Sequence, residues 1–291
     1  MVSLSSVANA QDDTAADRAD ARIANFDRPI AEPRPSGLAG EGAVKVPPPF
    51  TFSFALPLTY NTNIDLADSG GRSDFHVNPQ AVLDYRQQTG KVRIFAKVAA
   101  DMDEYFKHED AGASTLVGRI GLKLVPATSS FSPYIHYTPA LVFGRRFRDH
   151  QLTLHTFVLG YGGKVELGSV VLKPDFQLVR REATNVEAER NQVNGSVTLA
   201  GDIVPDRVSW SLGQSIQFRH YTGGNNEGRD DLYLATSAGI SVALNSKVAV
   251  EFNLNFEHNS SDRSGKDYSA FDIGPSIGLS IPFGGARSSA P

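Results

Sequence analysis

Between Phe50 and Phe283 the chain alternates apolar and polar residues with a period of two, stretch after stretch. The last stretch shows it best. One face carries Phe271, Ile273, Pro275, Ile277, Leu279, Ile281 and Phe283, and the other carries Asp272, Gly274, Ser276, Gly278 and Ser280. Successive side chains of a strand point to opposite faces, so this pattern specifies a strand with one apolar and one polar face. A tilted strand crosses a bilayer in roughly 9–11 residues. This stretch is long enough, and its apolar face ends in an aromatic at each end.

The same reading predicts about twelve strands. In the first, Phe50, Phe52, Phe54, Leu56, Leu58 and Tyr60 oppose Thr51, Ser53, Ala55, Pro57 and Thr59. In the second, Phe75, Val77, Pro79, Ala81, Leu83 and Tyr85 oppose His76, Asn78, Gln80, Asp84 and Arg86. In the third, Val92, Ile94, Ala96, Val98, Ala100 and Met102 oppose Arg93, Lys97, Asp101 and Asp103. Further strands are predicted over 116–124, 133–143, 151–161, 170–180, 192–201, 208–220, 232–244 and 248–258, before the last at 271–283. In the sixth, Leu152 to Leu154 and Phe157 to Leu159 leave the facing open. An even number of strands brings both termini to one side of a barrel.

Connection lengths alternate. Residues 87–90, 126–130, 166–169, 203–207 and 245–247 form short turns, whereas 222–231 and 259–270 are longer and polar. Short periplasmic turns and longer external loops are the asymmetry expected of bacterial barrels. With Phe50 at the periplasmic end, Phe50, Tyr85, Phe131, Trp210 and Phe283 fall low on the apolar face. Tyr60, Phe75, Phe106, Phe143, Phe218, Phe256 and Phe271 fall high. Two aromatic belts are what two membrane–water interfaces select. A soluble barrel or sandwich would turn its apolar face inward, and the polar face here carries many charges for a small packed core.

Composition narrows the chemistry. The 291 residues include no cysteine, which excludes disulfides and thiol catalysis. No apolar run approaches the roughly 18 residues of a transmembrane helix. The net charge of −4 gives no footprint for nucleic acid. Residues 1–10 fit the remnant of a signal peptide, with Ala8-Asn9-Ala10 as a small-x-small cleavage site. Residues 11–48, rich in Asp, Ala, Arg, Pro and Gly, read as a disordered periplasmic segment or a plug. Residues 49–283 are the barrel, and 284–291 a tail.

From Phe50 to Phe283 the chain resembles the Gram-negative outer-membrane β-barrel proteins, its final strand being similar to their assembly signal ending in an aromatic. The tail beyond Phe283 departs from that pattern. The resemblance implies an all-β, transmembrane, antiparallel up-and-down barrel integral to the bacterial outer membrane. It implies lipid, lipopolysaccharide and the barrel-assembly machinery as partners. The expected aromatic girdle comprises Phe50, Tyr60, Phe75, Tyr85, Trp210, Phe218, Phe256, Phe271 and Phe283.

The inward face suggests a channel. Basic candidates are Arg86, Lys91, Arg93, Lys97, Arg119, Lys123, Lys173, Arg181 and Arg219, with Arg190 nearby. Acidic candidates are Asp101, Asp103, Asp175, Glu251, Glu257 and Asp272. Opposed basic and acidic walls set a transverse field across a constriction, and basic rings favour anions. The reading is porin-like transport by passive diffusion of small hydrophilic solutes, with a mild anion preference. The alternative is a structural or adhesive barrel whose charges pair in a closed lumen. A remote third is an outer-membrane lipid hydrolase using His258 and Ser260, for which no orienting third group is evident. Neither cofactor nor metal is expected. Gly160, Gly162 and Gly163 match no phosphate loop and read as sites of curvature or close packing.

Overall fold

The computed structural model describes residues 48–126 and 130–284. The expected signal-peptide remnant, residues 11–47 and the tail from residue 285 lie outside the described residues. The strands are β1 (Phe50–Asn61), β2 (Asp74–Val77), β3 (Gln80–Thr89), β4 (Val92–Met102), β5 (Glu104–Tyr105), β6 (Ala113–Leu124), β7 (Phe131–Gly144) and β8 (His150–Gly163). They continue with β9 (Val165–Leu167), β10 (Val170–Ala183), β11 (Arg190–Val204), β12 (Val208–Tyr221), β13 (Asp230–Ala243), β14 (Val248–Ser261) and β15 (Tyr268–Phe283).

These segments make twelve staves. β2 with β3, β4 with β5, and β8 with β9 each form one stave, and neighbours in sequence pair antiparallel round the sheet. The sheet closes where β1 pairs with β15, from Phe50 opposite Phe283 to Asn61 opposite Asp272. Closure matters physically, because inside a bilayer no water is available to satisfy an open strand edge. Gly274 sits at this seam; a Cβ there would collide with the Leu58 carbonyl oxygen.

The second stave breaks at Asn78-Pro79. Pro79 has no N–H to donate to a ladder. Its carbonyl accepts from the Met102 amide at 3.3 Å, while the Asn78 amide donates to the Pro57 carbonyl at 3.1 Å. Thr89 pairs with Val92, leaving Gly90-Lys91 as the turn, with Gly90 at a φ of +59° that favours glycine. The connections at the end that holds Phe50 and Phe283 run from two residues to six, and those at the other end from five residues (145–149) to twelve (62–73). By that asymmetry the turn end corresponds to the periplasmic end of bacterial barrels, and the other end to their external end.

Apolar side chains coat the outside. Phe52, Phe54, Leu56, Leu83, Val98, Ile120, Ile135, Phe176 and Phe252 are all exposed. Water would penalise so continuous an apolar surface, and a bilayer accommodates it. The girdle is a contact structure. Phe50 stacks on Phe283 with centroids 5.4 Å apart and lies 4.9 Å from Tyr85, and Tyr60 lies 4.9 Å from Phe75. Phe256 pairs directly with Phe271. The Trp210 ring covers Gly201, its ladder partner.

The undecided strand resolves cleanly. On β8, Phe157, Leu159 and Tyr161 are exposed outside, while Leu152 and Leu154 are buried inside. There they join Val82, Ala99, Val117, Ala140, Val142 and the loop residue Ala188 in an apolar cluster. Apolar residues on both faces of β8 are why its sequence shows no clean alternation.

Candidate functional site in the barrel lumen

Alternation places Arg93, Lys97, Arg119, Lys123 and Lys173 on the inner face, below the external end. Arg86 lies at the periplasmic mouth, 3.7 Å from Asp84, and Lys97 approaches the same carboxylate at 4.0 Å. Arg119 donates from Nε to Thr138 Oγ1 at 3.1 Å. Arg93 donates to the Gln88 amide oxygen at 3.0 Å. Lys91 differs from the expectation: it occupies the turn with Gly90, because the ladder continues to Thr89 and Val92. Asp101 and Asp103 converge on the Asn78 amide, at 3.4 and 2.5 Å.

A polar network climbs the inner wall from near the turn end of β6 to the external rim. The Lys123 ammonium lies 5.9 Å from the Tyr134 ring centroid. The Tyr134 hydroxyl donates to Asp175, at 2.8 and 2.9 Å from the two oxygens. Gln177 donates to the same carboxylate at 2.8 Å and to the Tyr134 hydroxyl at 2.9 Å. Asn194 donates to Gln177 at 3.3 Å, and Gln192 to Asn194 at 3.1 Å. Arg190 donates to Gln192 at 2.5 Å and to the Tyr221 hydroxyl at 3.1 Å.

Local sequence makes this possible. Tyr134 pairs with Gly160, and Asp175 pairs with Gly162. A Cβ at Gly160 would strike the Tyr134 ring, and one at Gly162 would strike Asp175 Oδ1. The two glycines therefore let the phenol and the carboxylate lie across β8 and meet. Close approach, rather than phosphate binding, is the role of these glycines.

At the external rim the network becomes a cluster of arginine and tyrosine. The Arg229 guanidinium lies 4.4 Å from the Tyr221 ring centroid, Arg190 lies 5.4 Å from the same ring, and Arg219 lies 4.2 Å from that of Tyr233. Arg229 grips Asp231, Nε to Oδ1 at 2.8 Å, and Asn259 donates to the other oxygen at 3.2 Å. The Tyr233 hydroxyl donates to Glu257 at 2.6 Å. Arg190 and Arg219 are only 1% and 3% exposed. Cations so removed from water require this density of acceptors and ring faces.

Sequence reasoning found the charges on this wall and missed most of the residues that connect them. Tyr134, Gln177, Gln192, Asn194, Tyr221 and Tyr233 are neutral, and Arg229 precedes its strand. Their shared inward parity was the available signal. Of the expected acids, Asp175 and Glu257 enter the network. Asp272 pairs in register with Asn61 and Asn255, and Glu251 with Ser241 and Ser276.

The external loops are held by ion pairs. Arg145 and Arg146 both hydrogen-bond to Glu104, at 2.7 and 2.9 Å. Burial would push the Glu104 carboxyl up, but the two guanidiniums outweigh it and hold the group below the usual carboxylate range. Arg72 is raised above its ordinary value by its hydrogen bond to Asp65.

The hydrolase candidates face outward at the external end. His258 Nδ1 contacts the Ser269 hydroxyl at 2.9 Å, on the adjacent strand, instead of Ser260. Among the described residues no carboxylate is hydrogen-bonded to His258. No group of three or more metal-ligating side chains is present among the described residues.

No family model matches the chain, and no curated protein matches its sequence. Solved structures do match. An outer-membrane channel from Pseudomonas putida F1 aligns with a TM-score of 0.53 at 10% identity, over 84% of this chain and 98% of its own. The translocator domain of the autotransporter NalP from Neisseria meningitidis aligns with a TM-score of 0.48 at 12% identity, over 91% and 98%. LpxR from Salmonella typhimurium aligns with a TM-score of 0.43 at 12% identity, over 78% and 99%. The chain has the fold of an outer-membrane β-barrel. At these identities the likeness extends to the fold alone, because one barrel architecture hosts channels, translocators and enzymes.

Proposed function

We propose that this barrel resides in the outer membrane as a channel for passive diffusion of small hydrophilic solutes, with a preference for anions. The observation that carries the reading is the inner wall. Arg93, Lys97, Arg119, Lys123 and Lys173 face inward, and a polar network continues from Lys123 to the arginine and tyrosine cluster at the external rim. Exposed inward residues such as Ser196 and Ser211 keep the inner face of β11 and β12 polar below that cluster. Basic linings lower the electrostatic barrier for anions and raise it for cations.

A second reading is favoured by a specific observation. Inward residues at the external end, among them Thr115, Leu154 and Arg190, are at most 1% exposed. That burial supports a closed, structural or adhesive barrel. The deciding experiment is single-channel conductance of the full chain in a planar bilayer, with reversal potential across a salt gradient. Discrete steps with anion preference are expected. Substituting Arg93, Lys97 and Arg119 together with Glu should shift the reversal potential toward cations. Silence from the full chain and from protein lacking residues 11–47 would establish the closed reading. Steps only after that deletion would make the segment a plug. The hydrolase reading has less support, since among the described residues no carboxylate is hydrogen-bonded to His258.

A further inference from the structure

Between its two belt aromatics, the outward face of β12 is interrupted once. It reads Trp210, Leu212, Gln214, Ile216 and Phe218, and Gln214 is exposed. Gln214 stands four residues from Trp210 and four from Phe218, about 13 Å along the strand from each. In a bilayer aligned on the two belts, its carboxamide lies in the middle of the hydrocarbon layer, too far from either interface for the side chain to reach water. Its ladder partner on β13 is Thr236, flanked on the same face by Leu234 and Ala238.

Hydrocarbon offers an amide no hydrogen bond, so an amide there must be satisfied by protein. Half of this one is satisfied within the chain. Thr236 Oγ1 donates to Gln214 Oε1 at 2.7 Å, and Gln214 Nε2 donates to the Ser215 carbonyl at 3.3 Å. A carboxamide has two N–H groups and an oxygen with two lone pairs. One N–H and one lone pair are left over, side by side, and no group among the described residues takes them. The surroundings are also low. Gly195 lies diagonally across on β11, beside Val197, the other ladder partner of Gln214, and Ala238 lies diagonally across on β13. A Cβ at Gly195 would meet only Ile216 Cγ2, at 3.5 Å. Another protein surface can therefore come close.

We propose that this face of β11, β12 and β13 is where a second copy of the barrel docks within the membrane, about a twofold axis that runs along the membrane normal beside Gln214. The leftover donor and acceptor decide the partner. A group that offers one N–H beside one lone pair is complementary to itself, and a twofold brings two such amides together in a cyclic pair of hydrogen bonds. An isologous interface requires this self-complementarity. Each amide then has both hydrogens and both lone pairs in use, with Leu212, Ile216 and Phe218 packed around the pair. An axis along the normal also keeps both barrels in one orientation and both copies of Gln214 at one depth. The proposal rests on the membrane placement given above and not on conduction.

The test uses the full chain carrying Ser264→Cys, its only cysteine, at an exposed external loop. Half the copies take a donor dye and half an acceptor, and they are mixed in lipid vesicles at a dilution where unpaired copies show no energy transfer. Insertion is read first, from protection of the strands against protease. Transfer is then expected. Gln214→Leu should weaken pairing about tenfold, the scale of a polar contact between membrane spans. Gly195→Trp keeps the amide but blocks the approach and should abolish transfer, while Leu56→Trp, on the outer wall of β1, should leave it unchanged. A chain that does not insert overturns the membrane placement and the pairing with it, whereas an inserted chain without transfer overturns the pairing alone. Pairing that withstands Gln214→Leu and Gly195→Trp, or that Leu56→Trp weakens as much, overturns the assignment to this face.

Discussion

The two halves of the inner wall exclude water at the external end by opposite means. On β3 to β8 the inner face carries, toward the external end and above Arg93, Lys97, Arg119 and Lys123, an apolar cluster: Val82, Ala99, Val117, Ala140, Val142, Leu152 and Leu154 pack together. On β11 to β14 it is polar and largely charged, with Arg190, Arg219 and Asp231 and the neutral Asn259 buried to a similar degree. The first wall is held by non-directional burial, worth roughly 2 kcal/mol per fully buried side chain. The second is held by directional bonds between groups that would each be costly alone. The apolar half tolerates small changes of shape and responds to lost volume. The polar half tolerates almost no change of partner, because each missing contact strands a charge.

The sharpest way to break this comparison is at the charged half. Asp231→Ala leaves Arg229 buried beside Tyr221 without its carboxylate, and should cost about 3–5 kcal/mol. Urea unfolding in lipid vesicles, followed by the fluorescence of the single tryptophan, Trp210, reads the loss. Adding Arg229→Met should restore most of it, since removing both charges removes the stranded one. If the double variant is no better than Asp231→Ala, the wall depends on arginine for something other than pairing.

The apolar half should respond to volume. Leu154→Ala removes a fully buried side chain and should cost about 3 kcal/mol, while Leu154→Met should cost about 1 kcal/mol. Comparable losses from both would mean that shape, not burial, governs this wall.

Between the halves lies the Tyr134–Asp175 contact over Gly160. Gly160→Ala should push the ring off its glycine and cost about 1–2 kcal/mol, and Tyr134→Phe, which removes only the hydroxyl, about 1 kcal/mol. In a conducting barrel, both should also change the size of single-channel steps.

The smallest effect belongs to the external loops. The lowered Glu104 carboxyl contributes stability that is fully present above its unfolded value of about 4.3 and is lost as pH falls through its folded value. The contribution should stay below about 1 kcal/mol, because Arg146 is well exposed. Unfolding between pH 3 and 7 should show a shallower acid loss in Glu104→Gln than in the unaltered protein.

Much of the barrel was legible in the chain. Period-two alternation marked the strands, and connection lengths told the two ends of the barrel apart. An even count of strands makes the first and last antiparallel, and the structure adds the register, with Phe50 opposite Phe283. The inward parity of Arg93, Lys97, Arg119 and Lys123 was equally plain. Less was legible where two faces shared one chemistry. β8 carries apolar residues on both sides, so its facing waited for the cluster around Leu154. Tyr134, Gln177 and Gln192 gave no signal by themselves, because a neutral side chain gains a role only from the partner opposite it.

By itself, then, the sequence determined the strand pattern and which side chains face inward or outward along most strands, because alternation and turn chemistry are local properties. Only the tertiary structure decided which inward groups meet, that glycines at 160 and 162 admit a phenol and a carboxylate, and that Gln214 and Thr236 meet on the outer wall. Those features depend on register, tilt and curvature, which bring together residues distant in the chain.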